Sequence, residues 1–162
     1  MKEYRHFFIA GAQRSGTTYL YHMLNSHPEI EMAKPVRPEP KFFLQPNEIR
    51  KGYSYYLHTY FQDIHENVQL LGEKSTSYLE HKEAGSRIKQ WFPKAQIVII
   101  LRNPVRRALS NYYFSVENGL ENRSVSEVFI ENKPPPEKPQ NISVSPFKYL
   151  ERGNYLHYLK VY

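Results

Sequence analysis

An α/β fold, with a parallel sheet layered between helices, is predicted by three stretches of this 162-residue chain. Short apolar runs stand at residues 7–10 (FFIA), 68–72 (VQLLG) and 97–101 (IVIIL). Each leads through a turn into residues with helical spacing. The segments between the runs are long enough for helical crossovers, which parallel strands need. A central strand covered on both faces reads as unbroken apolar sequence, and Ile97-Val98-Ile99-Ile100-Leu101 is the strongest such run. The chain is therefore read as one domain spanning 1–162, with at least three parallel strands.

The first strand feeds the most informative turn. After Gly11 come Gln13-Arg14-Ser15-Gly16-Thr17-Thr18, then Tyr19, Leu20, Met23 and Leu24 at helical intervals, giving a helix from Thr17 to Ser26 that stops before Pro28. A glycine-containing turn that opens a helix gathers N–H groups and the positive end of the helix dipole, and Arg14 adds a full charge. With the Thr17 and Thr18 hydroxyls, this is a phosphate cradle. The nucleoside-triphosphate version requires G-x-x-x-x-G-K-[ST]. Gly11 and Gly16 keep that spacing, but Thr17 stands where the lysine belongs, and the cation sits inside the loop instead. The plainer alternative is a glycine turn with incidental polar residues.

The third strand runs into Arg102-Asn103-Pro104-Val105-Arg106-Arg107-Ala108-Leu109-Ser110. Asn103 suits a helix N-cap and Pro104 the first helical position. Arg102 then closes the strand and Ser110 lies two turns into the helix. Ligands of open α/β sheets bind at strand carboxyl ends, which favours Arg102 as a ligand. Arg106 and Arg107 read as a basic helix surface.

These two motifs, in this order, resemble those of the sulfotransferases that use 3′-phosphoadenosine-5′-phosphosulfate (PAPS), over roughly Phe7 to Tyr158. Gln13 to Thr18 is similar to that family's 5′-phosphosulfate loop. Arg102 and Ser110, eight residues apart, are similar to its 3′-phosphate motif. The resemblance implies a P-loop-like fold, PAPS as cosubstrate and no metal. It implies more at three further places. Glu39-Pro40-Lys41-Phe42-Phe43 resembles the segment of glycosaminoglycan-type members in which the Glu is the general base. By that match Glu39 is the base, Lys41 replaces a more common His, and Leu44 stands where an acidic residue is usual. Glu73-Lys74-Ser75-Thr76 resembles a run whose Lys reaches the sulfonate. Arg152-Gly153-Asn154-Tyr155 resembles an Arg-Gly-x-Tyr signature near the nucleotide, making Arg152 and Tyr155 candidate ligands. Family members usually continue with further strands and helices, so the chain is expected to be the N-terminal part of a longer catalytic domain.

Composition sets the limits. The formal net charge is +6 and the sequence pI about 9.4, which suits a polyanionic ligand and equally nucleic acid. There is no cysteine, which excludes disulfides and thiol chemistry. No apolar run reaches membrane-spanning length, and MKEYRHFFIAG is too polar for a signal peptide, so a cytoplasmic protein is expected. Asn122-Arg123-Ser124 and Asn141-Ile142-Ser143 fit the glycosylation pattern, which matters only on secretion.

The remaining segments follow in order. Residues 31–40 hold three prolines and are read as a loop. Residues 47–61 carry Ile49, Tyr53, Tyr56, Leu57 and Tyr60 on one helical face, with Gly52 a weak point. Residues 81–91 form an amphipathic helix ended by Pro93. A helix from Pro104 to Asn118 ends at Gly119, and Ser124 with Glu127 forms a capping box. Residues 133–145 (KPPPEKPQNISVS) lack apolar anchors and, with 34–41, are expected to be a mobile loop on the acceptor side. Pro146 starts the last helix. Together these readings predict sulfuryl transfer from PAPS to a hydroxyl of a carbohydrate or small metabolite, without nucleic acid as a partner. The alternatives are an atypical P-loop kinase or phosphotransferase, against which the missing Gly-Lys-[ST] argues, and a non-catalytic nucleotide-binding fragment.

Overall fold

The computed structural model describes residues 4–62, 64–140 and 144–162. Met1 to Glu3, at the head of the polar amino-terminal segment, and Asn141, Ile142 and Ser143, the second glycosylation-type triplet within the proline-rich stretch, lie outside the described residues. The chain packs as two compact units, Met1–Leu101 with Leu156–Tyr162, and Arg102–Tyr155.

The first unit is built on an all-parallel sheet of β1 (Arg5–Gly11), β2 (Ile30–Met32), β3 (Leu70–Lys74) and β4 (Gln96–Ile99), in the order β2-β3-β1-β4. Its helices are α1 (Thr17–Asn25), α2 (Pro46–Ile49), α3 (Gly52–Tyr60) and α4 (Lys82–Trp91). Side chains alternate along a strand, and β1 uses both faces. Phe8 and Ala10 join a core with Phe42, Phe43, Tyr56 and Ile88, from the α3 and α4 side. Phe7 and Ile9 join Tyr21, Leu20 and Leu24 of α1 and Met32 of β2. This alternation makes the three layers that the apolar runs predict.

Several boundaries differ from the sequence expectation. The run at 97–101 forms a strand only over Gln96–Ile99, and it lies at the edge of the described sheet with half-buried residues. The central places belong to β1 and β3. Apolar sequence reports that helices cover both faces of a strand, not that it has a neighbour on each side. Pairing continues past the strand, since Ile100 N donates to Gly11 O and Ala12 N to Ile100 O, both at 2.9 Å. The strand expected at 68–72 is displaced to 70–74, because the Val68 N–H closes a turn on His65 O. β2 is new: three residues are too few to show a period, and its pairing to β3 makes it a strand. The helix expected over 47–61 is two, broken at Arg50 and Lys51, with Gly52 at φ 87°. The expected helix from Pro146 is a 3-10 turn, Glu151–Gly153, and α7 (Tyr155–Leu159), separated at Asn154.

In the second unit, α5 (Pro104–Glu117) starts as predicted, with Asn103 Oδ1 accepting from the N–H of Val105 and of Arg106, each at 3.1 Å. Both halves of the Ser124–Glu127 capping box are present on α6 (Val125–Phe129). Arg107 corrects the reading of a basic surface helix. It is fully buried, donating to Asn111 Oδ1 at 3.3 Å and to the carbonyl of Tyr149. Its neighbours in the core are Ala108, Tyr112, Val128, Phe147 and Tyr149. Among the described residues no helix is long and apolar enough to cross a membrane.

Two tests follow from this packing. A Cβ on Gly72 would lie 2.2 Å from Phe7 Cζ and 2.4 Å from Met32 Sδ. Gly72→Ala should therefore lower stability by about 1–3 kcal/mol in urea unfolding, the usual cost of overpacking a core. His6 is buried against Phe92, with ring centroids 4.0 Å apart, and burial pushes its pKa down from 6.5 to about 4. Below pH 6.5 the unfolded chain takes up a proton that the folded chain refuses until about pH 4. Stability is thus expected to be held above pH 6.5 and to fall between 6.5 and about 4, approaching about 1.4 kcal/mol per pH unit for this one proton. His6→Phe should flatten that slope.

Candidate active site

The loop between β1 and α1 holds six of the candidate residues. Arg14 takes a left-handed backbone at φ 66°, and Gly16 caps α1 at φ 91°, a conformation that suits glycine. No side chain caps α1, and its first turn carries no acidic residue. That leaves the dipole's positive end and the leading N–H groups for an anion. Ser15 Oγ is buried with no hydrogen-bond partner among the described residues. Thr17 is buried and Thr18 half-buried. Gln13 turns the other way, its Nε2 lying 3.3 Å from both Ser77 Oγ and Glu80 Oε1.

The parallel register sets Ile9 beside Lys74, so β3 ends two residues short of the β1 end at Gly11. Just past β3, Ser75 N donates to Ile9 O at 3.1 Å, continuing the ladder. Lys74 is almost fully buried, and its Nζ lies 2.5 Å from Glu39 Oε1. Glu39 also accepts from Thr76, from the backbone N–H at 2.9 Å and from Oγ1 at 2.9 and 3.0 Å. The loop carboxylate and the strand-end lysine, 35 residues apart, are therefore one ion pair, with two further donors from Thr76 around the carboxylate. Lys41 sits on the same loop at φ 49°, its N–H donating to Ser75 Oγ at 2.8 Å. Thr76 and Ser75 escaped the sequence reading. The signal was present in their position directly after Lys74, but hydroxyls in a turn are too common to single out.

The second unit holds the other four candidates. Arg102 is exposed, just before the Asn103 cap, and its carbonyl accepts from Tyr155 Oη at 2.8 Å. It lies three residues past the end of β4, so it does not close the strand. Ser110 is half-buried in α5, two turns from Asn103. Arg152 is buried, donating to Asn111 Oδ1 at 3.3 Å and to Ser145 O at 2.7 Å, which gives its guanidinium internal work. Asn111 thus accepts from both Arg107 and Arg152. Among the described residues no group of three or more His, Asp or Glu side chains is arranged to hold a metal ion.

A strand–loop–helix turn on β1 and a carboxylate–lysine pair at the end of the neighbouring β3 are thus set on one parallel sheet of an α/β protein. The chain belongs to the sulfotransferase domain family, whose pattern matches residues 4–152. It is 31% identical over 119 residues to a membrane-associated sulfotransferase of Dictyostelium discoideum, covering 73% of this chain and 24% of that protein. It is 35% identical over 108 residues to bifunctional heparan sulfate N-deacetylase/N-sulfotransferase 4 of Mus musculus, covering 65% of this chain and 12% of the relative. Heparan sulfate glucosamine 3-O-sulfotransferase 6 of Homo sapiens is 32% identical over 104 residues, 64% of this chain and 28% of its own. The chain therefore spans about an eighth to a quarter of these relatives' lengths. The crystal structure of a sulfotransferase from Alicyclobacillus acidocaldarius superposes with a TM-score of 0.74 at 26% identity, over all of this chain and 68% of that one.

Proposed function

We propose that the chain transfers a sulfuryl group from PAPS to a hydroxyl on a carbohydrate of glycosaminoglycan type, with Glu39 as general base. The observation that carries this reading is the Glu39–Lys74 pair at the end of β3, the strand paired with the one that leads into the Ser15–Gly16 turn. It sets a proton acceptor and a buried cation at the adjoining carboxyl ends of two parallel strands. Family membership supports the reaction class, and the names of the mouse and human relatives support the acceptor class.

The loop suits the anionic 5′ end of the donor. Its one buried hydroxyl without a partner, Ser15 Oγ, and its uncapped helix start are groups that an anion satisfies. When bound, PAPS supplies the activated sulfuryl group. Arg14, Ser15, Gly16, Thr17 and Thr18 hold the 5′ end, with Gln13 bracing the loop on Ser77. Arg102 and Ser110 take the 3′-phosphate, and Arg152 and Tyr155 support that region. Lys74 offsets negative charge at the transferring group. Glu39 accepts the acceptor hydroxyl's proton, and its three hydrogen bonds from Thr76 and the contact with Lys74 fix the direction of its oxygens. Lys41, next on the loop, faces the acceptor side.

A calorimetric titration separates this reading from a kinase. Adenosine 3′,5′-bisphosphate should bind and ATP-Mg should not compete at similar concentration. Arg102→Ala should weaken the bisphosphate by at least about tenfold and leave AMP nearly unchanged, since a charge-assisted contact contributes about 1.5–3 kcal/mol. Equal losses for both ligands would remove the 3′-phosphate assignment. Glu39→Gln keeps the side-chain shape without the base. It should retain bisphosphate affinity while turnover on a heparan-type acceptor falls about 10²–10⁴-fold. Turnover at the normal rate would place the base elsewhere.

A further inference from the structure

We infer that Glu73 is the positioning residue of this site, holding the loop that carries Glu39 through two relayed hydrogen bonds, an inference that rests on the reading of Glu39 as base. Glu73 is fully buried, with no charged partner within its set of hydrogen bonds. Its carboxylate accepts from Tyr56 Oη at 2.8 Å, Ser75 Oγ at 2.6 Å and Tyr78 Oη at 2.5 Å. Two of those hydroxyls carry a second bond. Ser75 Oγ accepts the N–H of Lys41 at 2.8 Å, and Tyr78 Oη accepts the N–H of Phe43 at 3.0 Å. Each relay runs from amide to hydroxyl to carboxylate. A group with only acceptors at the end of both relays fixes both hydroxyl protons in one direction.

The geometry explains why the base lands where it does. Side chains alternate at the end of β3: Glu73 and Ser75 bond inward to the relay, while Lys74 and Thr76 bond to Glu39. One short segment therefore grips the loop twice, at the Glu39 carboxylate and at the Lys41 amide. Between the two grips lies Pro40, whose ring fixes φ and leaves little slack. Beyond Lys41, Phe42 and Phe43 are fully buried against Tyr56, Trp91 and Phe92. Burial raises the Glu73 pKa, and the three hydroxyl donors pull it back down. An apolar residue here would strand three hydroxyls. Both relays end on Oε1 while Tyr56 bonds to Oε2, so a neutral amide with its oxygen at the Oε1 position keeps both relays and turns its NH2 group only on the Tyr56 hydroxyl.

The test uses Glu73→Leu, with Ser75→Ala and Tyr78→Phe as variants that cut one relay each. Amide hydrogen exchange is read at Lys41 and Phe43, with Leu71 in β3 as the internal control. Glu73→Leu should speed exchange at both amides by at least about tenfold over Leu71, Ser75→Ala only at Lys41, and Tyr78→Phe only at Phe43. Turnover of radiolabelled PAPS with the heparan-type acceptor is then measured in a double-mutant cycle. Glu73→Leu should lower kcat at least about tenfold at unchanged bisphosphate affinity, and should add nothing in the Glu39→Gln background. Equal losses in both backgrounds, or unchanged exchange at Lys41 and Phe43 in all three variants, would overturn the proposal. Should Glu73→Leu not fold, the two single-relay variants decide by the same exchange pattern. Glu39→Gln at the normal rate would remove the base reading alone, leaving the relay to be judged by exchange.

Discussion

Everything at this site depends on the parallel pairing of β1 with β3. Parallel strands bring their carboxyl ends to the same edge, and the register of Ile9 with Lys74 sets the end of β3 within two residues of the end of β1. From one end the chain turns into the Gln13–Thr18 loop, and from the other it turns through Lys74, Ser75 and Thr76. The loop presents an uncapped helix start, and the β3 end holds the Glu39 carboxylate. Their adjacency is a property of the sheet, and the sheet's rigidity comes from a β1 buried on both faces.

The distribution of charge follows from that arrangement. Buried ionisable groups are expensive unless paired or hydrogen-bonded. Here Lys74 has Glu39, Glu73 has three hydroxyls, Arg107 and Arg152 share Asn111, and Glu121 has Arg123 at 2.6 Å. The net positive charge of the chain thus conceals two populations. Some cations are buried in the structure. Others, Arg102 and Arg106 among them, lie exposed near the start of α5.

Much of this was legible in the sequence where the cause is local. The strand–turn–helix at 7–25, the Asn103 cap and the Ser124–Glu127 box rest on neighbours within a few residues, and they match the structure. Glu39 and Lys74 were named by resemblance, but their contact was not legible, because only the sheet spans the 35 residues between them. The order of strands was equally hidden: the most apolar run became an edge strand, since residue type records covered faces and is silent on lateral neighbours. Arg107 was misread for a related reason. Its burial depends on Tyr149, 42 residues away, whose carbonyl accepts from it. Glu73 looked like a member of a short motif, and its partners Tyr56 and Tyr78 looked like ordinary packing aromatics.

The loop before Glu39 has a consequence for how such a site can change. Ala33 N is tied to Gly72 O at 2.7 Å and Lys34 N to Tyr60 O at 2.8 Å, while Lys41 is tied to Ser75 on the far side. Between these anchors, Lys34, Pro35, Arg37 and Pro38 are exposed. The Glu39 carboxylate is thereby held apart from the residues just upstream of it. Those residues can be exchanged, lengthened or recharged, as in grafting an antibody loop onto a fixed frame, without moving the carboxylate. A variable surface and a fixed ion pair are then separately adjustable features of one short stretch of chain.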